Sequence, residues 1–142
     1  FNPAHNLIFA FDVKDFSEFN SKYGHASGDR MLKFAAHSIS AQLRKMDFLA
    51  RLNDDEFWAV IPTADGELAT TIIERIETSF VEKPFPLSGD ESYIIKLNIG
   101  SASFGEDGET AKQLLQVAGL RKRHAKADDS GSVIMFPKKI AK

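Results

Sequence analysis

Acidic residues that could bind one cation together occur at two separate places in the chain. Asp12 directly follows the apolar run 7–11, while Asp54, Asp55 and Glu56 follow one another further along. Carboxylate oxygens are the ligands that Mg²⁺ prefers, and two carboxylates held close together can share one ion. Acids at an exposed turn are also common as solubilising charges. The apolar strand that leads into Asp12 is the feature that favours a site.

A β-hairpin is predicted to carry the second acidic cluster. Residues 48–52 and 57–61 are mainly apolar or aromatic, and Pro62 ends the second run. Asn53 and Asp54 between them are turn formers, and Asn tolerates the left-handed backbone that a tight hairpin needs. The acids are therefore expected at the hairpin tip.

The remaining elements follow from hydrophobic periodicity. Residues 7–11 lack polar alternation, which predicts a central strand covered on both faces. Ser27 is a suitable N-cap for the second helix, and Pro and Gly residues indicate a loop at 82–92. The predicted helices are 16–23, 27 to about 45, 66–80 and 110–127, and the further strands are 93–104 and 132–136. This order predicts an α+β fold with a ferredoxin-like βαββαβ core, whose mostly antiparallel sheet has helices packed on one side.

Length and composition indicate one ordinary globular domain. The chain has 142 residues, of which 43% are hydrophobic and 27% charged, enough for a core of its own. Its net charge of −2 predicts no general affinity for nucleic acid or anionic membrane. The absence of cysteine and of a bilayer-spanning apolar run favours a cytoplasmic location. The abrupt start at Phe1 predicts that residues 1–142 are one domain excised from a larger multidomain protein.

Several motifs agree in order and spacing with one family pattern. They are Asp12-Val13-Lys14-Asp15-Phe16, Asn20, Tyr23-Gly24-His25-Ala26-Ser27-Gly28-Asp29 and Arg51-Leu52-Asn53-Asp54-Asp55-Glu56-Phe57. Through them the chain resembles the GGDEF domain of diguanylate cyclases, whose pattern at these spacings is D-x-D-x-F-K, N-D, Y-G-H-x-x-G-D and R-Y-G-G-D-E-F. The resemblance spans nearly the whole chain. It implies the palm-like, nucleotide-cyclase-like fold that adenylyl cyclases and polymerase palms share.

The resemblance implies a metal centre for nucleotidyl transfer. Asp12, the Val13 carbonyl and Asp55 match ligands of Mg²⁺ in the family, with Glu56 beside them, so Asp55 and Glu56 are the candidate catalytic acids. In such chemistry the metal ions bridge the triphosphate and activate the attacking hydroxyl. Mg²⁺ is expected as a cofactor only if this centre is functional.

The resemblance also implies contacts to the nucleotide. Asn20 and Asp29 match the pair that hydrogen-bonds guanine, and Lys126 matches a lysine that contacts phosphate. A carboxylate suits guanine, because N1–H and N2–H₂ form a two-donor edge. Alternatively, Asn20 and Asp29 cap helices.

The namesake motif departs from the family pattern, which predicts that the metal centre is vestigial. Asn53 and Asp54 replace two glycines that let the backbone approach the nucleotide. Asp54 also adds a negative charge, and like charges ~4 Å apart repel by roughly 4 kcal/mol at an effective dielectric of 20. Ser17 replaces a phosphate-contacting lysine, and the ammonium of Lys14 is placed where it could pair with the site acids instead of a metal.

A second site is implied away from the metal centre. Arg44 and Asp47 form an R-x-x-D motif with five residues between Asp47 and Asn53, the spacing at which the family binds cyclic di-GMP as an inhibitor. Arg75 matches a further arginine for the same ligand. Arginine can fork onto phosphate or the Hoogsteen edge of guanine, while aspartate accepts from the N–H edge. The alternative is that Arg44 is a helix-end charge and Arg75 a surface ion-pair residue; neither Arg44 nor Asp47 is expected in the core.

Basic residues near the end of the last helix are Arg121, Lys122, Arg123, His124 and Lys126, a cluster that can also indicate nucleic-acid binding. They are predicted to be a solvated helix end, with cations at the negative pole of the helix dipole. The four His residues lack the spacing of a zinc site.

Taken together, the sequence predicts a degenerate GGDEF domain that is catalytically inactive and acts as a regulatory or cyclic di-GMP-sensing module in bacterial second-messenger signalling. One alternative is an active diguanylate cyclase that joins two GTP molecules. Another is a nucleotide-free dimerisation or scaffold domain. The expected partners are cyclic di-GMP or GTP, other domains of the same chain and a second copy, with neither nucleic acid nor membrane insertion.

Overall fold

The helices and strands occur in the order that the sequence predicts, with two short strands in addition. The computed structural model describes residues 6–52, 55–127 and 133–134, and gives the backbone alone at 126–127 and 133–134. The helices are α1 (Phe16–Tyr23), α2 (His25–Ala41), α3 (Gly66–Glu82) and α4 (Ala111–Ala127). The strands are β1 (Leu7–Val13), β2 (Phe48–Arg51), β3 (Glu56–Ile61), β4 (Phe85–Pro86), β5 (Ser92–Tyr93), β6 (Leu97–Ser103) and β7 (Val133–Ile134).

The main sheet has the strand order β2-β3-β1-β6-β7. Neighbouring strands are antiparallel except β6 and β7, which are parallel. The strand β1 lies at the centre, and all seven of its residues are buried. The α+β fold with a mostly antiparallel sheet and a central apolar strand is therefore confirmed.

The expectation that all helices pack on one side of the sheet is wrong. Side chains alternate between the two faces of a strand, and β1 is apolar on both. Phe9 and Phe11 pack in the larger core with residues of α1, α2 and α3, whereas Ile8 and Ala10 pack with Leu114 of α4. The helix α4 thus covers the opposite face, as an all-buried central strand requires.

Two local expectations also differ from the structure. The predicted loop 82–92 contains β4, which pairs with β5, so the long strand begins at Leu97 rather than at residue 93. The reason is aromatic packing, since Phe85 and Tyr93 both stack edge-on against Phe19. The helix α2 begins at His25 instead of after Ser27, because Gly24 with φ 90° ends α1 and forms the N-cap of α2. Of the predicted strand 132–136, residues 133–134 form β7 and the others lie outside the described residues.

The close contact between α4 and β6 depends on Gly100. A Cβ atom at this position would lie 2.2 Å from the carbonyl oxygen of Ala118 and 2.3 Å from the backbone nitrogen of Lys122. Both are backbone atoms, which cannot move aside as a flexible side chain can. Gly100 therefore sets how deeply α4 settles onto the sheet and where Lys122 lies.

We expect Gly100→Ala to lower the free energy of unfolding by roughly 1–3 kcal/mol, because α4 must be displaced. Gly119→Ala on the same helix is the matched control. Its Cβ would meet only the guanidinium of Arg123, at 3.7 Å. That variant should gain about 0.5–1 kcal/mol, because alanine replaces glycine inside a helix. Urea unfolding of both variants tests this, and equal effects would contradict the close-approach argument.

Candidate functional site

Three polar residues form a row across the centre of the sheet. Asp12 at the end of β1 is opposite Glu56 of β3 on one side and opposite Asn98 of β6 on the other. Directly opposed residues share a face of the sheet, and Asp12 follows Ile8 and Ala10 at two-residue spacing. The row is therefore on the face that α4 covers.

Lys122 of α4 contacts this row on the face of the sheet that the helix covers. Its Nζ lies 2.9 Å from Oε2 of Glu56 and 3.7 Å from Oδ2 of Asp12. The amide of Asn98 donates to Oδ1 of Asp12 at 2.8 Å. The side chains of Lys122 and Asp12 are 6% and 7% exposed, whereas that of Glu56 is 32% exposed. One ammonium therefore bridges two acids, one buried and one at the margin.

The prediction of a solvated helix end is wrong for two of its five residues. Lys122 is buried on the same stripe of α4 as Ala118 and Ala125. Arg121 pairs with Asp107 at 2.9 Å and donates to the carbonyl oxygen of Ser101. Lys122 lies at helical spacing from two small residues, Ala118 and Ala125. This spacing is the sequence signal that could have identified it. Likewise, Asn98 inside an apolar strand could have been recognised as the partner of a buried polar group.

The two carboxylates whose contacts are described do not fit a divalent cation in this arrangement. Asp12 accepts from an amide through one oxygen and faces an ammonium with the other, and Glu56 is bound to the same ammonium. A magnesium ion needs several free oxygen ligands at short distance. Within the described ranges, no group of three or more metal-ligating side chains is present. The positive charge that this row needs is supplied by the chain itself.

The hairpin residues of the predicted metal centre are described only in part. The carbonyl of Asp55 accepts from the backbone N–H of Val13 at 3.3 Å, which ties the hairpin to the end of β1. Asn53 and Asp54, on which the predicted departure rests, lie outside the described residues, as does the side chain of Lys126. The predicted pairing of Lys14 with the acids stays a prediction.

The predicted guanine pair lies where α1 meets α2. The Oδ1 atom of Asn20 is buried and accepts no hydrogen bond from the described residues. It lies against Gly28, where a Cβ atom would come within 1.8 Å of it. Because this oxygen accepts no hydrogen bond from a described backbone N–H, Asn20 does not cap α2 through it. Asp29 follows Gly28 and is exposed. Asn20 thus presents an acceptor that a nucleobase N–H could satisfy.

Arg44 and Asp47 form a bidentate ion pair in the turn between α2 and β2. The Arg44 Nη2 atom lies 2.8 Å from Oδ1 of Asp47, and Nε lies 3.1 Å from each carboxylate oxygen. The backbone N–H of Arg44 donates to Oδ2 of Asp47. The Nη2 atom of Arg44 also donates to the carbonyl oxygen of Pro62. The Asp47 side chain is completely buried, so the expectation that it lies outside the interior is wrong. The Arg44 side chain is 33% exposed.

Arg75 lies on α3 beside the end of α2. It lines a polar surface groove of about 380 Å³ together with Gln42, Glu74, Ser79 and Lys83. Gln42 is two residues before Arg44, which brings the groove near the Arg44–Asp47 pair. No described hydrogen bond or ion pair joins Arg75 to that pair.

The two sites lie at opposite ends of the same strand. Glu56 begins β3, while Pro62, which accepts from Arg44, directly follows its last residue. At about 3.4 Å per residue, the length of β3 separates them by roughly 17–20 Å.

The strand order, with helices on both faces, is that of the palm-like nucleotide-cyclase class. The family model described as "Diguanylate cyclase, GGDEF domain" matches residues 2–132. The chain belongs to the GGDEF domain family. It superposes on the crystal structure of the GGDEF domain of TpbB (YfiN) from Pseudomonas aeruginosa with a TM-score of 0.84 at 34% identity, covering 92% of this chain and 82% of that one.

Two curated relatives from Pseudomonas aeruginosa carry different functional names. The diguanylate cyclase TpbB is 36% identical over 126 residues, which is 88% of this chain and 29% of TpbB. The cyclic di-GMP phosphodiesterase NbdA is 28% identical over 133 residues, which is 94% of this chain and 17% of NbdA. The chain thus spans less than a third of either protein. Within the described residues, no helix is both long enough and apolar enough to cross a membrane.

We expect Lys122→Met to lower the free energy of unfolding by roughly 3–5 kcal/mol in metal-free buffer, because it leaves a buried carboxylate uncompensated. Adding Glu56→Gln to that variant should cost less than adding it to the wild type, since both changes remove the same ion pair. Lys112→Met, on the exposed part of α4, is the control for charge and residue type. Additive effects in a urea-unfolding cycle would show that the two side chains are not coupled.

Proposed function

We propose that this chain is a non-catalytic GGDEF domain that binds cyclic di-GMP and acts as a sensing or regulatory module. The observation that carries the proposal is the Lys122 ammonium between Asp12 and Glu56. By the family resemblance, Asp12 matches a metal ligand and Glu56 is a candidate catalytic acid beside it, so an ammonium bound to both opposes a metal there. The replacement of the signature glycines by Asn53 and Asp54 points the same way.

The proposed ligand site is the Arg44–Asp47 pair. Nε and Nη2 of Arg44 are used within the protein, whereas Nη1 makes no hydrogen bond to a described residue, and the side chain is one-third exposed. A guanidinium oriented by a carboxylate is well suited to a phosphate or to the O6 and N7 atoms of guanine. Arg75 in the adjoining groove adds a second positive charge. NbdA, which is named a cyclic di-GMP phosphodiesterase and not a cyclase, contains a region similar to this chain. This similarity supports a role other than catalysis of cyclic di-GMP synthesis.

Asp47 has two roles in this proposal. In the structure both of its carboxylate oxygens already accept hydrogen bonds from Arg44. Reading the N1–H and N2–H₂ edge of guanine requires that at least one of them be released to the ligand. We therefore propose that ligand binding reorganises the turn between α2 and β2, with Arg44 as the first contact.

A second candidate function is a working diguanylate cyclase. The observation that favours it is the buried, unpartnered Oδ1 of Asn20 among the described residues. A guanine N–H would satisfy this atom, and Asp29 is retained nearby. Binding of GTP by itself is compatible with both candidates, so turnover is the decisive measurement.

The domain's context is part of the proposal. Because the chain spans under a third of TpbB and of NbdA, we propose that it works beside other domains of the same protein in the cytoplasm, where a second copy can also associate.

We expect the domain to make no cyclic di-GMP from GTP and Mg²⁺, because Lys122 holds two of the acids. The assay should use the chain fused to a dimeric coiled coil, so that two domains can face each other. The GGDEF domain of TpbB on the same coiled coil is the control. Product formed at a rate typical of enzymes would refute the non-catalytic proposal.

We expect Arg44→Ala to weaken cyclic di-GMP binding about ten- to a hundredfold, since a charge-assisted hydrogen bond contributes roughly 1.5–3 kcal/mol. Asp47→Asn should weaken binding as well and relax the preference for guanine over adenine ligands. Arg75→Ala should have a smaller effect, and Lys45→Ala, which is exposed in the same turn, should have none. Calorimetry measures all four variants after circular dichroism has established that each is folded.

Unchanged affinity in Arg44→Ala would refute the site. If the wild type failed to bind millimolar cyclic di-GMP, the nucleotide-free scaffold would become the better account.

A further inference from the structure

We infer that Lys122 is a built-in replacement for a divalent cation. Its ammonium holds Asp12 and Glu56 together and excludes Mg²⁺ or Mn²⁺, so the polar row keeps its arrangement without metal. The inference rests on the proposed function, in which this site no longer performs metal-dependent chemistry. It identifies Lys122 as the residue that closes the site and divalent cations as the ions that this residue excludes.

The contacts match what a bound cation would provide. The Nζ atom lies 2.9 Å from one carboxylate and 3.7 Å from the other, so a single positive charge bridges two negative ones. The lysine is part of the chain, and its ammonium therefore competes with free ions without any loss of translational freedom. A divalent ion that enters must expel this ammonium or accept its repulsion.

Neighbouring residues hold both Asp12 and Lys122 in position. The amide of Asn98 fixes the Asp12 carboxylate, and Asn98 itself is fully buried. The backbone nitrogen of Lys122 lies against Gly100, so the stem of the lysine starts from a part of α4 in contact with the sheet. Separating two nearly buried opposite charges is strongly unfavourable. The ion pair is thus a stable occupant of the site.

Removing the positive charge should therefore open a divalent-cation site. Lys122→Met has a side chain of similar length and no charge, so it keeps the packing of α4 while it removes the ammonium from Asp12 and Glu56. Two carboxylates opposite each other on neighbouring strands, with no ammonium between them, are ligands that Mn²⁺ accepts. In this variant, metal binding and folding should become coupled.

The test is Mn²⁺ binding, measured by electron paramagnetic resonance and by the shift of the thermal unfolding midpoint. We expect Lys122→Met to bind Mn²⁺ at least about tenfold more tightly than the wild type, because the repulsive charge is gone. Mn²⁺ should raise the unfolding midpoint of the variant and leave that of the wild type unchanged. Lys122→Gln, which is also neutral, should behave as Lys122→Met does, and Lys112→Met as the wild type does.

Superimposed Mn²⁺ titrations of the wild type and the two Lys122 variants would overturn the inference. If the metal-free variants are unfolded, Mn²⁺ should restore their structure, and failure to do so would overturn it equally.

The two proposals can be told apart. Superimposed metal titrations together with no GTP turnover by the wild type refute the role of Lys122 alone. Turnover by the wild type refutes the non-catalytic function.

Discussion

The buried carboxylate of Asp12 is the constraint on which the rest of the structure depends. It lies at the end of the central strand, and an unpaired charge in that position would be very unfavourable. The chain compensates it with the amide of Asn98 and the ammonium of Lys122. Lys122 can reach Asp12 only because α4 lies close against β6, which in turn requires Gly100. The second helical layer, the glycine and the ion pair together accommodate this one buried charge.

The two charged sites of the domain differ mainly in exposure. Each consists of a cation paired with acids of the same chain, and they lie at opposite ends of β3. The side chain of Lys122 is 6% exposed and bridges two acids, whereas that of Arg44 is 33% exposed. In our proposal the first pair closes a metal site, while the second presents a pre-oriented guanidinium to solvent. A domain that recognises a nucleotide without transforming it is consistent with this contrast.

Much of the fold could be predicted from local patterns. The apolar run 7–11 indicates a doubly covered central strand, and helical spacing gives α3 correctly from its first residue. The pairing of β4 with β5 could not be predicted, because it depends on contacts between aromatic residues distant in sequence, such as Phe85 and Phe19.

The predictions for the sites divide in a similar way. Motif spacing pointed to Asp12, Glu56, Arg44 and Asp47. The structure places Asp12 opposite Glu56 and joins Arg44 to Asp47 in an ion pair. Motif spacing did not identify Lys122, since a basic helix end is usually solvated. The signal that it missed is the helical spacing of this lysine from Ala118 and Ala125, and the packing of α4 on Gly100 is what buries it. Nor could motif spacing reveal that the side chain of Asp47 is completely buried, because that follows from the fold of a turn. Charge compensation across elements is a tertiary property, which the local sequence does not encode.

The central claim is that an ammonium, and not a metal ion, neutralises the acids at the centre of the sheet. The most direct test is a nuclear magnetic resonance titration of the ¹⁵N-labelled wild-type domain with Mn²⁺, whose unpaired electrons broaden the signals of nearby amides. Our account predicts that the amide signals of Val13, Glu56 and Asn98 keep their intensity at Mn²⁺ concentrations that leave exposed surface amides unaffected. Selective broadening centred on these three residues would place a metal beside Asp12 and contradict the account.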